Sequence, residues 1–267
     1  MNLRTRHGRI HLIFIIYGIL GYLFLYLPVF LLILFSFNES AAGSLPFTGL
    51  TLKWYRDLLA DFLVINAFWT SLKVALAASL LATIIGTAAA FPMARLVFRF
   101  KETLRIIFTL PIMVPGLLIG IALLIFFSSW LDLNLSLGTV IIGHVVFTTP
   151  FVVLVVTARL LDFDYRLEWA AADLGATPFQ TFRQVTFPLI FPGVLAGALF
   201  AFTLSLDEFI ITFFTIGPQS TLPMYIFSQV KFGITPKINA LATIMFVGSI
   251  IILGGSFYML SRRDNKK

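Results

Sequence analysis

Asp207 and Glu208 stand side by side inside an apolar run, FTLSLDEFIITFFTIGP, from Phe202 to Pro218. A carboxylate at mid-bilayer costs at least about 2.5 kcal/mol, so such a group pairs with a partner or faces a water-filled path. Adjacent helix positions point about 100° apart. The two carboxylates therefore meet different surroundings, one a cavity and the other a neighbouring helix or subunit. In the functional reading at least one of them, Asp207 first, attracts a cationic amine during its passage. Ser205 and Thr212 would add hydrogen-bonding oxygens, and the rings of Phe209, Phe213 and Tyr225 would offer cation–π contacts to an ammonium group. In the structural reading the two are packed against a basic or polar partner, with Lys73 the candidate. Lys73 otherwise snorkels to the outer interface.

Other chemistries lack their residues. The chain has no cysteine, which excludes disulfides, thiolate metal sites and cysteine nucleophiles. His7 and His11 lie in a basic N-terminal arm, and His144 lies in an apolar stretch as a hydrogen-bonded structural residue. There is no phosphate-binding GxxxxGK[ST] loop, no HExxH and no GxSxG. Uphill movement of a solute would therefore draw on ATP hydrolysed by another chain.

The elements that must position these residues follow from composition. Of 267 residues, 59% are hydrophobic and 12% charged, with 30 phenylalanines; soluble domains carry about 25% charged residues. A spanning helix needs about 20 apolar residues, and six candidates fit. They run from Leu12 to Phe37, Ala67 to Met93, Ile106 to Trp130, Gly138 to Leu160, Phe191 to Ile216 and Ile238 to Leu260. The first is too long and bulky for a cleaved signal peptide. Pro28, Pro115 and Pro150 predict kinked helices in a bundle.

The net charge of +7 reads as membrane topology rather than as a nucleic-acid surface. With a cytoplasmic N-terminus, that side holds Arg4, Arg6, Arg9, Arg95, Arg99, Lys101, Arg105, Arg159, Arg166, Arg183, Arg262, Arg263, Lys266 and Lys267. The opposite side holds only Lys53, Arg56, Lys231 and Lys237. The positive-inside rule then places both termini in the cytoplasm. The long outer loop Asn38 to Asn66 carries an amphipathic stretch, Leu52 to Leu63, suited to the membrane surface.

The cytoplasmic segment between the fourth and fifth spans, LEWAAADLGATPFQTFRQVTFPLIFPG from Leu167 to Gly193, is longer than a plain connection requires. Asp162 and Asp164 suit the start of a helix, Leu167 to Leu174. Gly175 fits a left-handed cap. Thr177 and Pro178 start a second short helix, with Phe179, Phe182, Val185 and Phe187 on one face and Pro188 and Pro192 turning the chain back to the bilayer. Periodicity alone fits a mere linker as well as a docking element.

Ala170, Ala171, Gly175 and Pro188 resemble the EAA loop of inner-membrane permeases of ABC importers. The runs Phe202 to Pro218 and Leu222 to Ile244 resemble spermidine/putrescine importer permeases, and Asn66 to Ala75 resembles the start of the family's transmembrane core. The resemblance spans about residues 60–260. It implies an all-α membrane protein, a type I ABC importer permease bundle of six transmembrane helices, in the bacterial inner membrane. Residues 1–65 would form the basic arm, first helix and outer loop. Residues 66–260 would form the permease core with the coupling loop at 161–190, and 261–267 the cytoplasmic tail.

The resemblance also implies partners: a second, similar permease subunit in a heterodimer, two ATPase subunits that bind ATP and Mg, and an extracytoplasmic substrate-binding protein. No cofactor is expected in this chain. The implied coupling residues are Glu168, Trp169, Ala170, Ala171, Gly175, Phe179 and Phe182, and a bulky residue at Gly175 is expected to fill the turn. Trp169 stands where the family has its glutamate, and Glu168 lies one position earlier. The implied function is alternating-access import of a small cationic solute, polyamine foremost. Another small solute, such as an opine or amino-acid-like compound, is the nearest alternative. A secondary transporter or channel would work without an ATPase and usually shows an inverted repeat; no clear repeat joins the two halves.

Overall fold

In hydrocarbon a backbone must close its own hydrogen bonds, and the regular elements here are helices. The computed structural model describes residues 3–41, 45–231, 233 and 235–264, with side chains described for 14–41, 45–231, 233, 235–251, 254 and 255. Among the described residues, extended pairing is confined to one bridge, Asn38 with Leu50. The side chains of Arg4, Arg6, His7, Arg9, His11, Arg262 and Arg263, and the whole of Lys266 and Lys267, lie outside the described residues.

The chain divides into two units. The first comprises Met1–Phe62 and Ile226–Lys267. Its helix α1, Leu3–Ser36, is apolar all round from Phe14 onward and carries Pro28 inside it; Phe14, Tyr17, Tyr22 and Phe24 are exposed, as a lipid-facing helix requires. The loop after it folds onto Asn38, which is fully buried. Asn38 Oδ1 accepts from the amide of Thr48 at 3.0 Å, and Trp54 Nε1 donates to the Asn38 carbonyl at 2.7 Å. The expected amphipathic stretch is a two-turn helix, α2, Lys53–Leu59. Also in this unit is α12, Pro236–Asp264, which packs on α1 and α2. Its Lys237 pairs with Asp61.

The second unit, Leu63–Tyr225, holds the residues of interest. It contains most of α3, Phe62–Arg95, then α4, Lys101–Met113, α5, Gly116–Ile125, and α6, Leu137–Leu161. A short α7, Arg166–Asp173, and α8, Pro178–Thr181, lead to α9, Phe187–Asp207, and α10, Ile210–Thr215; α11, Leu222–Lys231, begins here. Its core is Ala82, Ala90, Val152, Val156, Leu160, Ile190, Val194 and Ala201, from α3, α6 and α9. Small residues let these backbones approach: a Cβ on Gly86 would stand 2.7 Å from Val152 Cβ.

Among the described residues, four helices are long and apolar enough to cross a membrane: Phe14–Ser36, Phe62–Arg95, Leu137–Leu161 and Pro178–Asp207. The expected third span, Ile106 to Trp130, is broken: Lys101–Met113 and Gly116–Trp130 meet at 104°. Pro115 lacks an amide proton and forces Val114 into extended conformation, ψ 129°. The described apolar part of the last expected span is Pro236–Ile251. The fifth expected span, Phe191 to Ile216, stops at Asp207, because Glu208 is extended at ψ 110°.

The hairpin expected between the fourth and fifth spans is corrected as well. Its second short helix runs on as one 30-residue helix, Pro178–Asp207, so Pro188 and Pro192 do not turn the chain back. The π-helical turn Phe182–Thr186 immediately precedes Pro188. A π turn shifts the carbonyl register and so accommodates a proline without ending the helix.

Candidate functional site

The break between α9 and α10 separates the fates of the two carboxylates. Glu208 Oε1 accepts from the amide of Ile211 at 2.9 Å, satisfying one of the donors that a helix start leaves open. Asp207, on the last turn of α9, is exposed and makes no hydrogen bond or ion pair among the described residues. Lys73, the alternative partner, is exposed and pairs with neither.

His144 holds the break together from α6. It is 1% exposed, with Nδ1 2.7 Å from Ser205 Oγ on α9 and Nε2 2.8 Å from Thr212 Oγ1 on α10. The proton of Thr212 goes to the Glu208 carbonyl at 2.8 Å. Thr212 must therefore accept from His144 Nε2–H, which leaves Nδ1 to accept from Ser205. The result is one directed chain of hydrogen bonds across the break. It corrects the expectation for Ser205 and Thr212. Both hydroxyls are buried and spent on His144 rather than offered to a solute.

Two glycines seat α10. A Cβ on Gly143 of α6 would meet Ile211 Cγ2 at 2.9 Å, and one on Gly120 of α5 would meet Phe214 Cδ2 at 2.8 Å. Phe209 and Phe213 have ring centroids 5.8 Å apart. Tyr225 lies one turn into α11, its amide bonded to the Thr221 carbonyl. The arrangement offers one unspent carboxylate at a helix break, near two aromatic residues in sequence, beside a chain in which Ser205, His144, Thr212 and Glu208 are bonded to one another or to backbone.

The residues expected to couple to an ATPase lie in a helix, a glycine turn and a second helix. Asp164 Oδ1 accepts from the amide of Arg166 at the start of α7. Gly175 has φ +85°, the left-handed conformation that glycine adopts without strain. Nothing lies within 4 Å of a Cβ built there, so within this chain the turn is constrained by conformation and not by space. Thr177 and Gln180 form a reciprocal capping box, with Pro178 at the first helical position. Trp169 (68%), Phe179 (69%) and Leu174 (89%) are exposed. Ala170 is exposed and Ala171 half-buried. Phe182 packs on Phe91, centroids 5.7 Å apart.

Glu168 points the other way. It accepts from Arg95 Nη2 at 2.7 Å and from the Thr186 hydroxyl. In the sequence Arg95 registers only as one cytoplasmic charge. Its weight comes from ending an apolar helix, where a side chain is drawn back toward the protein, with an acidic residue in the segment that follows α6.

Residues 82–264 match the family described as binding-protein-dependent transport system inner membrane component. The putrescine transport system permease protein PotI of Escherichia coli strain K12 is 37% identical over 258 residues, 93% of this chain and 91% of that protein. The spermidine/putrescine transport system permease protein PotC of the same strain is 38% identical over 247 residues, 92% of each chain. The solved structure of a bacterial alginate ABC transporter in complex with an alginate pentasaccharide-bound periplasmic protein aligns at TM-score 0.73 and 18% identity. That alignment covers 98% of this chain and 97% of the other, and at such identity it speaks for the fold alone.

Proposed function

Because the chain belongs to the binding-protein-dependent transport system inner membrane component family, we propose that it is the permease subunit of an ATP-driven importer whose solute is a polyamine, putrescine or spermidine. The chain is a multi-pass, all-helical inner-membrane protein. The observation that carries the substrate class is the identity of 37% and 38% over nine-tenths of the chain to two permeases named for polyamines. The unspent Asp207 is chemically apt for it, since a carboxylate facing the path lowers the cost of bringing an ammonium group into the bilayer.

The partners in this reading are a second permease subunit, two ATPase subunits and an extracytoplasmic binding protein, with both termini of this chain cytoplasmic. ATP and Mg would be held by the ATPase subunits and supply the free energy. This chain's part is mechanical and electrostatic. The exposed face of α7 and α8 receives the ATPase, and the break at Glu208 gives the spans a place to rearrange. A bundle biased by partners on both sides then alternates its access.

The test is uptake of labelled putrescine and spermidine by vesicles holding this chain with its neighbouring permease, ATPase and binding protein. ATP-dependent accumulation is the expected result. ATPase stimulation by the loaded binding protein without polyamine uptake would move the substrate to another small solute. Flux without any ATPase would overturn the importer.

A further inference from the structure

Arg95 and Glu168 take on a role in coupling on the reading of the chain as an ATPase-coupled permease. In α7, an eight-residue helix, no side chain is fully buried. Packing of that kind does not hold a short helix rigid, since most helical stability in proteins comes from a buried face. Yet α7 must deliver any pull it receives.

Its firm attachment is polar. Glu168 Oε1 accepts from Arg95 Nη2 at 2.7 Å and from the Thr186 hydroxyl. Arg95 is the last residue of α3, and Thr186, 1% exposed, ends the π-helical turn just before α9. The guanidinium is enclosed by rings: its Cζ lies 5.1 Å from the centroid of Phe91, 5.6 Å from Phe163 and 5.4 Å from Tyr165. Such partial desolvation strengthens both the cation–π contacts and the ion pair. Arg95 Nε is buried without an acceptor, so the side chain is held by its Nη2 end and by the rings.

We propose that Arg95 and Glu168 form an internal latch that makes α7 move as one body with the cytoplasmic end of α3 and the base of α9. Glu168 is a positioning residue within this chain and not a contact to the ATPase. The docking surface is the opposite, exposed side, led by Trp169 and Leu174, and it fits an apolar groove on the partner. A pull on that side reaches two spanning helices through one carboxylate.

The experiment uses the whole complex with loaded binding protein in proteoliposomes. It reads solute moved per ATP hydrolysed and ATPase retained through purification. Glu168→Gln and Arg95→Gln should each keep the ATPase bound while uptake per ATP falls by about tenfold. Arg95→Lys should recover part of the ratio, and the exchange Arg95→Glu with Glu168→Arg should exceed either reversal alone. Hydrogen exchange over Arg166–Asp173 reads the latch without reference to transport and should be faster in Glu168→Gln. Loss of the ATPase in Glu168→Gln but not in Arg95→Gln would make Glu168 a docking residue and overturn the proposal. Unchanged exchange with an unchanged ratio would also overturn it. Absence of ATP-dependent uptake by the unaltered complex would instead count against the importer reading, while exchange would still decide the latch.

Discussion

Glu208 Oε1 caps the amide of Ile211 at 2.9 Å, and its neighbour Asp207 caps nothing. The adjacent carboxylates are thus divided between a helix start and an open face. Asp207→Asn keeps size and removes charge, so it should raise the KM for polyamine uptake by about tenfold with assembly intact. Glu208→Gln keeps an oxygen able to accept from Ile211 and should change uptake far less. Equal effects from the two substitutions would return Asp207 to a structural role.

His144 carries a second consequence. Replacing it with alanine strands the Ser205 hydroxyl in a buried site, at about 1–3 kcal/mol, and leaves Thr212 only its bond to the Glu208 carbonyl. His144→Ala should therefore lower the thermal midpoint of the detergent-solubilised protein clearly. The double change Ser205→Ala with Thr212→Val should cost less than the sum of its singles, because those hydroxyls share one partner. An unchanged midpoint in His144→Ala would show that the bridge across the break contributes no stability.

Much of this fold is legible in the sequence, because membrane helices announce themselves by length and apolarity. The starts of α3, α6 and α12 fall close to the expected spans, and Thr177, Pro178 and Gly175 mark their local structures through chemistry that acts within a few residues. The missed features depend on contacts distant in the chain. The stop at Asp207 has no proline or glycine to signal it and is held by His144, 61 residues from Ser205. The bend at Pro115 is a matter of degree. Pro115 was expected to kink a helix, and only tertiary packing decides that the kink reaches 104°. Likewise the inward turn of Glu168 depends on Arg95, 73 positions away, so the sequence shows the carboxylate but not its partner.

Gly175 separates conformation from space. Its φ of +85° strains any residue with a Cβ, by roughly 1–2 kcal/mol, and asparagine tolerates the region best among the others. With nothing of this chain within 4 Å of the built Cβ, Gly175→Asn should retain more uptake per ATP than Gly175→Val. If asparagine and alanine are as damaging as valine, the limiting contact is a partner's surface pressed against the turn rather than the backbone.

Gly143 tests whether the seat of α10 matters as much as its hydrogen bonds. A Cβ there would meet Ile211 Cγ2 at 2.9 Å and Leu123 Cδ1 at 3.2 Å. Both are methyl ends of side chains, so alanine forces a repacking rather than a backbone clash, at about 1–3 kcal/mol. Gly143→Ala should lower the thermal midpoint modestly, and Gly143→Leu should do so severely, since the larger group displaces α10 from α6. Displacement also pulls Thr212 from His144. Gly143→Leu and His144→Ala should therefore combine to less than their sum when melting is measured. Full additivity would mean that the glycine seat and the His144 bridge support α10 independently.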